Sequence, residues 1–524
     1  MPNKISLLSL IILIFLLLIQ FVSLFGGLDF TDTFWHINIA AYYFDKKSFI
    51  NTEVDEFIFN WQKDRNYIYN FEKRINFHFA SSLITFYFFN YFETIVISRI
   101  IPFLSFLFLF FISFKDCILN KIRNKLILFV ALVSFLPPII SFDYFTVLLV
   151  TLFVLFTVNY ESQKKIIYLF LIFIILNLSF FIRFQNFLLI FASFFYLYKL
   201  KINYHILIIM HLFPLLFFIT MIFGIDFFSI THKIKNTEHS FSNLFQNYFK
   251  DIPLFLGSIF SSFFIIYFFH KSNTYGKFLI SNIIVLFLIY FFGTDYNWDY
   301  SIIITSFIIS IIISNILVNR DNLVLYITLI FTMFIFPVGS ATGLFKLSYG
   351  LSLSGIIHEN LLRDFKRLFI YILTLSLPFT SFYKLSYGYE DVGIIYANSS
   401  YNDSRLFGIR SFSIRTDFVD QIQKNISKLK SDGYHILIGG RTSHLFTYLN
   451  STIPLTVEFY QQDLDPNLLK ELIQAFPDKK FAYFHFDDYP EFHTANLSPF
   501  EASVEGVGFN YNNNGYYDFL SFGD

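Results

Sequence analysis

Residues 5–25 read ISLLSLIILIFLLLIQFVSLF, an apolar stretch directly after Lys4 that contains no charged side chain. Roughly 20 predominantly apolar residues are what a helix needs to cross the hydrocarbon core of a bilayer. The stretch is longer than a signal-peptide core and lacks a small-x-small cleavage site before Gly26 and Gly27, so it reads as an uncleaved signal anchor. Further apolar runs follow at about 94–114, 126–140, 144–160, 166–182, 185–198, 204–224, 252–270, 278–293, 299–318, 323–338, 345–357 and 368–384, which makes about thirteen crossings. Composition agrees: 55% of residues are hydrophobic, 15% are charged, and 79 Phe exceed what one globular core can bury. A single Cys excludes a disulfide scaffold or a Cys-based metal cluster, and the balance of 38 basic against 38 acidic residues argues against a nucleic-acid partner.

Orientation comes from where the cations fall. Lys4, the group Lys115, Lys121, Arg123 and Lys125, then Lys164 with Lys165, Lys199 with Lys201, Lys271 with Lys277, Arg320, and Arg363 with Lys366 and Arg367 all lie on one side of a thirteen-span chain. Cytoplasmic loops are the Lys/Arg-rich ones, so this side is the inner one and the N-terminus is cytoplasmic. Short loops on the opposite side, at 137–143, 294–298 and 337–345, carry no Lys or Arg. The outer side then owns residues 26–76, residues 225–251 and everything after about 385. The expected organisation is a multi-span domain over 1–385 and an extracytoplasmic soluble α/β domain over 386–524.

Within that last portion, Phe418, Ile422, Ile426 and Leu429 recur at helical spacing and predict an amphipathic helix ending near Gly433. Strands at 435–439, 455–459 and 481–486 and helices near 443–449 and 466–476 complete an alternation that predicts a short parallel sheet. The turn Gly439-Gly440-Arg441-Thr442-Ser443 offers main-chain N–H groups but neither G-x-G-x-x-G nor a P-loop Lys, and an ordinary strand–helix turn accounts for it. A substrate-facing or stabilising lid is the economical role for this domain.

Directly after the first run comes Gly-Gly-Leu-Asp-Phe-Thr-Asp-Thr-Phe-Trp-His, residues 26–36. Trp35, Ile39, Tyr42 and Tyr43 predict a helix at the interface with its aromatics toward the headgroups. Asp29, Thr31 or Asp32 can simply cap that helix. Asp29 and Asp32 three apart, with His36 four further on, also suit a catalytic base with a partner, and leave room for a weak divalent-metal site, although no residue is assigned as a metal ligand.

The stretch TDTFWHINIAAYYF after the first span resembles the opening of the C-fold (GT-C) glycosyltransferases, a superfamily of polytopic enzymes that use polyprenyl-phosphate sugars. Three further stretches are similar in the same order: the apolar segment 78–89 with its Asn90 break and Arg99 within ETIVISRIIPFLSFLFLF, Asp143 in LPPIISFDYFTVLLV, and Arg183-Phe184-Gln185 between two spans. Together they cover about the first 200 residues. In this chain the first acidic motif is Asp-x-x-Asp rather than an adjacent pair.

The resemblance implies transfer of a sugar from a polyprenyl-phosphate donor to a saccharide, lipid or protein acceptor at the extracytoplasmic face of a membrane, most simply a bacterial inner membrane. It casts Asp32 as the base, with Asp29 second and Asp143 as a further acidic position that orients the acceptor or pairs with an arginine. Arg99 and Arg183 become donor-phosphate partners, since a guanidinium offers a planar fork and stays charged when buried. Snorkelling at a helix end is the plain alternative for both. His36, Gln185, Ser340 and Thr342 are candidate substrate contacts, the last two within the small-residue break at 336–346. A transporter or flippase of lipid-linked saccharides, or a non-catalytic membrane scaffold, is the rival expectation. Transporters place broken, charged helices near the midplane in related halves, and no internal repeat is visible here.

Overall fold

The computed structural model describes residues 7–28, 50–64, 142–224, 241–269, 343–350, 391–440, 443–453, 466–486, 510–513 and 518–522, with scattered positions within 34–38, 95–108, 302–313, 330–337, 381–386 and at 455. In chain order the helices are α1 (Leu7–Ser23), α2 (Glu53–Asp64), α3 (Phe142–Gln163), α4 (Ile166–Ile182), α5 (Leu188–Lys199), α6 (Tyr204–Gly224), α7 (Phe241–Phe269), α8 (Ser413–Ser431), α9 (His444–Asn450) and α10 (Pro466–Ala475). The strands are β1 (Ser399–Ser400), β2 (Arg410–Ser411), β3 (Tyr434–Gly439), β4 (Lys480–His485), β5 (Asn510–Asn513) and β6 (Asp518–Phe522). The chain divides into two compact units. One comprises Met1–Phe21, Pro102–Pro137 and Phe142–Lys384, and the other Val22–Ile101, Pro138–Ser141 and Leu385–Asp524.

In the first unit, α3 to α6 follow one another through short turns. Lys164 and Lys201, both at positive φ (54° and 55°), reverse the chain after α3 and after α5. The interior between these helices is dotted with hydroxyls: Thr146, Thr151, Ser179 and Ser193 are all fully buried. Many hydroxyls return their proton to the preceding turn, as Thr157 does to the Phe153 carbonyl (2.6 Å) and Ser306 to that of Ile302 (2.8 Å). The outward side chains are the apolar ones, including Phe170, Phe195, Ile209, Phe213 and Phe260. Among the described residues no helix is long and apolar enough to cross a membrane.

One element departs from expectation. Residues 241–251, expected to belong to a polar outer loop, are the first turns of α7, continuous with the apolar run at 252–270. Phe241, Leu244, Phe245, Tyr248 and Phe249 already carry the helical spacing that extends the helix backward from Ile252.

In the second unit a four-stranded sheet runs in the order β3-β4-β6-β5. β3 and β4 are parallel, Tyr434 opposite Lys480, while β6 is antiparallel to both β4 and β5, so the sheet is mixed where an all-parallel one was expected. The predicted α8 spacing holds, with Phe418, Ile422, Ile426 and Leu429 all buried in the core beside Ile436, Ile438, Phe446 and Phe484. Asn398 Oδ1 accepts the Ser413 N–H (2.7 Å) and relieves one of the orphan donors at the start of α8. At the other end, Gly433 takes φ +87°, which a glycine adopts without a Cβ penalty. Of the strand expected at 455–459 only Leu455 is described, its N–H donating to the Ile438 carbonyl (3.3 Å).

The first outer loop belongs to this unit as well. Phe34 and Ile37 are buried in the core with Leu445 and Phe446. Asn38 Nδ2 donates to the His444 carbonyl (3.0 Å) and to Thr447 Oγ1 (2.9 Å). Further along, α2 docks through Trp61 Nε1, which donates to Glu471 (2.8 Å), through Gln62 on the Leu455 carbonyl (3.3 Å), and through Phe57 set edge-on to Phe476.

Candidate functional site

The first unit concentrates buried charge at one place. Asp143 stands in the first turn of α3, where exposed main-chain N–H groups favour a carboxylate. Arg183 ends α4: its backbone turns extended (φ −157°, ψ 131°) before a 3-10 turn at Phe184–Phe187. Asn186 holds that break in shape, its amide nitrogen donating to the Ser179 carbonyl (2.9 Å) and its main-chain N–H to the Arg183 carbonyl (3.0 Å). With the backbone so fixed, Arg183 Nη1 reaches Asp143 Oδ1 at 2.6 Å while its Nε donates to Gln185 Oε1 at 3.0 Å.

A second cation meets the same carboxylate. Lys346 Nζ lies 2.6 Å from Asp143 Oδ2. It is delivered by the 3-10 segment Gly343–Gly350, whose first residue takes φ +59°. A Cβ at Gly343 would stand 2.1 Å from Asp251 Oδ2, and that oxygen accepts the Leu344 N–H (2.7 Å). One turn earlier on α7, the Tyr248 hydroxyl donates to the Pro337 carbonyl. Thus α7 grips the break between 337 and 344 at both ends, and that grip positions Lys346. Arg183 and Lys346 are 2% and 6% exposed, so both cations and their shared carboxylate have left bulk water.

Two positive groups share this one carboxylate. Buried charge is tolerated when paired and hydrogen-bonded, as both cations are on Asp143. A phosphate oxygen would find a guanidinium fork and an ammonium already oriented. The positions that meet here, Asp143, Arg183, Asp251 and Lys346, lie at or beside the stretches that the distribution of Lys and Arg assigns to a single side of the chain. At the far ends of α3 and α5, Tyr196 donates to Glu161 (2.6 Å), next to the cations assigned to the other side.

Of the residues expected from sequence, Asp143, Arg183 and Gln185 come together. Asp29, Asp32, His36, Ser340 and Thr342 lie outside the described residues, as do 78–90. Arg99 belongs to the second unit, where Nη1 donates to the carbonyls of Leu24 (2.8 Å) and Gly26 (3.1 Å) and Nη2 to that of Gly27 (2.6 Å). Its fork thereby holds the backbone that leads into Asp29. Lys346, Tyr248 and Asp251 were not singled out in the sequence. The available signal was Lys346 itself, the first Lys or Arg after Arg320 and the residue that closes a small-residue break.

Among the described residues no group of three or more His, Cys, Asp or Glu could hold a metal ion. No family model, no curated protein and no solved structure matches the chain.

Proposed function

We propose that this protein is a polytopic membrane glycosyltransferase that moves a sugar from a polyprenyl-phosphate donor to an acceptor at the extracytoplasmic face, with Arg183 and Lys346 receiving the donor phosphate. The observation that carries the reading is the buried Asp143 carboxylate shared by two cations. In such a transfer the acceptor oxygen bonds to the anomeric carbon as the bond from that carbon to the phosphate oxygen breaks, and negative charge gathers on the departing lipid phosphate. Two fixed cations in a water-poor site stabilise that charge without reorganising. Asp143 keeps both oriented, and Gln185 steadies the Arg183 fork from its other edge. The acceptor's hydroxyl proton needs a base, a role for which Asp32, then Asp29, remain the candidates from sequence.

Support for the membrane setting comes from how the first unit distributes polarity. Hydroxyls such as those of Thr157, Ser179, Ser262 and Ser306 are buried and fold back on their own helices, while large apolar side chains such as Phe170, Phe195 and Phe260 face outward. Ser and Thr returning a hydrogen bond to the preceding turn is a device that lets helices carry hydroxyls without water.

The test is reconstitution in liposomes with a panel of polyprenyl-phosphate sugars, following donor consumption. Arg183→Gln and Lys346→Met are each expected to lower turnover about 100-fold or more, the scale on which a lost transition-state donor acts, and Asp32→Asn to abolish it. Turnover unchanged in both cation variants would remove the phosphate site. Movement of lipid-linked saccharide between leaflets without donor consumption would point to a transporter instead.

A further inference from the structure

The second unit exposes a cluster of large apolar side chains: Ile395 (48%), Tyr396 (50%), Phe407 (75%), Phe412 and Ile414 (45%). They lie on three neighbouring stretches of the chain, 395–396, 407 and 412–414. β1 and β2 pair with Ser399 opposite Ser411, the Asn398 N–H donates to the Ser411 carbonyl (3.0 Å), and the Ser413 N–H donates to Asn398 Oδ1 (2.7 Å), so the ribbon joins the stretch that follows 395–396 to the one that opens on 412–414. Solvent-exposed apolar clusters of this kind on a folded unit mark a surface that something apolar covers.

What covers it follows from the backbone around it. The chain leaves its first apolar run at Phe25, and Arg410 donates its N–H to the Phe25 carbonyl (2.9 Å) while accepting that of Gly27 (2.9 Å). It leaves its last apolar run at Lys384, and the Ile395 N–H donates to the Leu385 carbonyl (3.2 Å), the Gly393 N–H to that of Ser386 (2.8 Å). The fit at these joints is tight. A Cβ on Gly26 would stand 2.4 Å from the Ile394 nitrogen, and one on Gly393 would stand 2.1 Å from the Leu385 carbonyl oxygen. At Gly408, the neighbour of Phe407, a Cβ would meet Phe25 Cδ1 at 3.6 Å. Both points at which the chain emerges from apolar sequence are therefore stapled to the segment that bears the exposed cluster.

From this we infer that Ile395, Tyr396, Phe407, Phe412 and Ile414 form a lipid-docking foot that seats the second unit in the headgroup boundary of the bilayer. The inference rests on the membrane reading above and adds a binding surface to it. The chemistry suits that depth. Tyr396 has an apolar ring and a polar tip, the amphipathic form that concentrates at interfaces. Arg410, exposed between Phe407 and Phe412, supplies a cation for lipid phosphates. The foot would hold the unit against the surface at which a lipid-linked donor presents its phosphate.

The test uses the full chain in liposomes with its one native cysteine replaced, Cys117→Ser, and single cysteines introduced for an environment-sensitive fluorophore. Labels at Phe407 and Ile414 are expected to emit blue-shifted, to be quenched by a lipid carrying a nitroxide near the headgroup, and to be shielded from aqueous iodide. A label at the exposed Lys424 of α8 is expected to show the opposite pattern. Ile14, exposed within the first apolar run, serves as the reference for the membrane reading. Iodide access at 407 and 414 with lipid quenching at 14 would overturn the foot and leave the membrane reading standing; iodide access at 14 would overturn both.

Discussion

His444 shows how one buried side chain makes the second unit sensitive to acid. It is 2% exposed, its Nδ1 has no hydrogen-bond partner, and burial lowers its pKa to about 3. An unfolded histidine titrates near 6.5. Because the folded value lies below the unfolded one, the group costs nothing above pH 6.5, and stability falls as the unfolded chain takes up the proton that the folded chain refuses. At about 1.36 kcal/mol per pH unit the loss amounts to roughly 2.7 kcal/mol by pH 4.5. Asp391 works the other way. Burial raises its pKa, and Arg415, Ser411 and the amides of Leu28 and Val392 only partly pull it back, so its share of stability declines as pH rises through the carboxylate range. A variant isolates the histidine. His444→Leu is expected to hold stability at pH 7 within about 1 kcal/mol, since replacing an unsatisfied polar group by an apolar one is nearly neutral, and to flatten the fall toward pH 4.5. Amide exchange across residues 445–449, corrected for intrinsic rates, measures both; an equal fall in wild type and variant would sink the assignment.

The docking of α2 turns on its first residues. Thr52 and Asp55 form a reciprocal cap: Thr52 Oγ1 accepts the Asp55 N–H (3.2 Å), and Asp55 Oδ2 accepts the Thr52 N–H (3.0 Å), the Thr52 hydroxyl (2.8 Å) and the Asn51 N–H (3.2 Å). The other carboxylate oxygen lies 3.4 Å from His435 Nε2 on β3. Burial pushes the Asp55 pKa up, but His435, Thr52 and the Asn51 amide outweigh it, so the carboxyl is held below its usual value. With the folded value depressed, this cap is intact above about pH 4 and fails as pH drops through the carboxylate range. Thr52→Ala is expected to cost about 1 kcal/mol, read as faster exchange of the α2 amides at neutral pH; unchanged protection there would show that Trp61 and Phe57 hold α2 unaided. Neither this helix nor the β5–β6 pair was anticipated, although both left marks. Thr52-x-x-Asp55 is a capping pattern, and Asn514-Gly515 between alternating residues is a hairpin signal. They are hard to weigh beside long apolar runs because each spans only a few residues. By contrast α8, β3, α9, α10 and β4 were readable within a residue or a few, since a half-buried element writes its period into the sequence. The site divides similarly. Asp143 and Arg183 stood out as charges beside apolar runs, whereas Lys346 gains its meaning only from a contact across 203 positions.

At the scale of the whole molecule, the question is why lysines occupy Lys164 and Lys201. Both sit at positive φ after a helix, where glycine or asparagine is the favoured residue and any other L side chain costs about 1–2 kcal/mol. The Lys164 N–H still closes on the Tyr160 carbonyl (2.8 Å), and its ammonium lies 5.3 Å from the Tyr160 ring centre, but these offset only part of that strain. A cation retained against the backbone's preference points to a need for charge, and the positive-inside bias of membrane proteins supplies one. The opposite ends of α3 and α4 carry Asp143 and Arg183, so on the proposed topology these turns face the cytoplasm and the cluster faces out. The consequence is measurable in sealed, right-side-out vesicles using the chain with Cys117→Ser. Cysteines at 164 and 201 should react with an impermeant maleimide only after the vesicles are opened, whereas one at the exposed Lys424 should react at once. Labelling of 164 and 201 in sealed vesicles together with 424 would reverse the assignment of sides and move the Asp143 cluster to the inner face, where an extracytoplasmic transfer could not use it. Replacing both lysines by glycine separates the two demands: the turns should gain about 1 kcal/mol each from the relieved backbone, while the fraction of chains with Lys424 outside should fall.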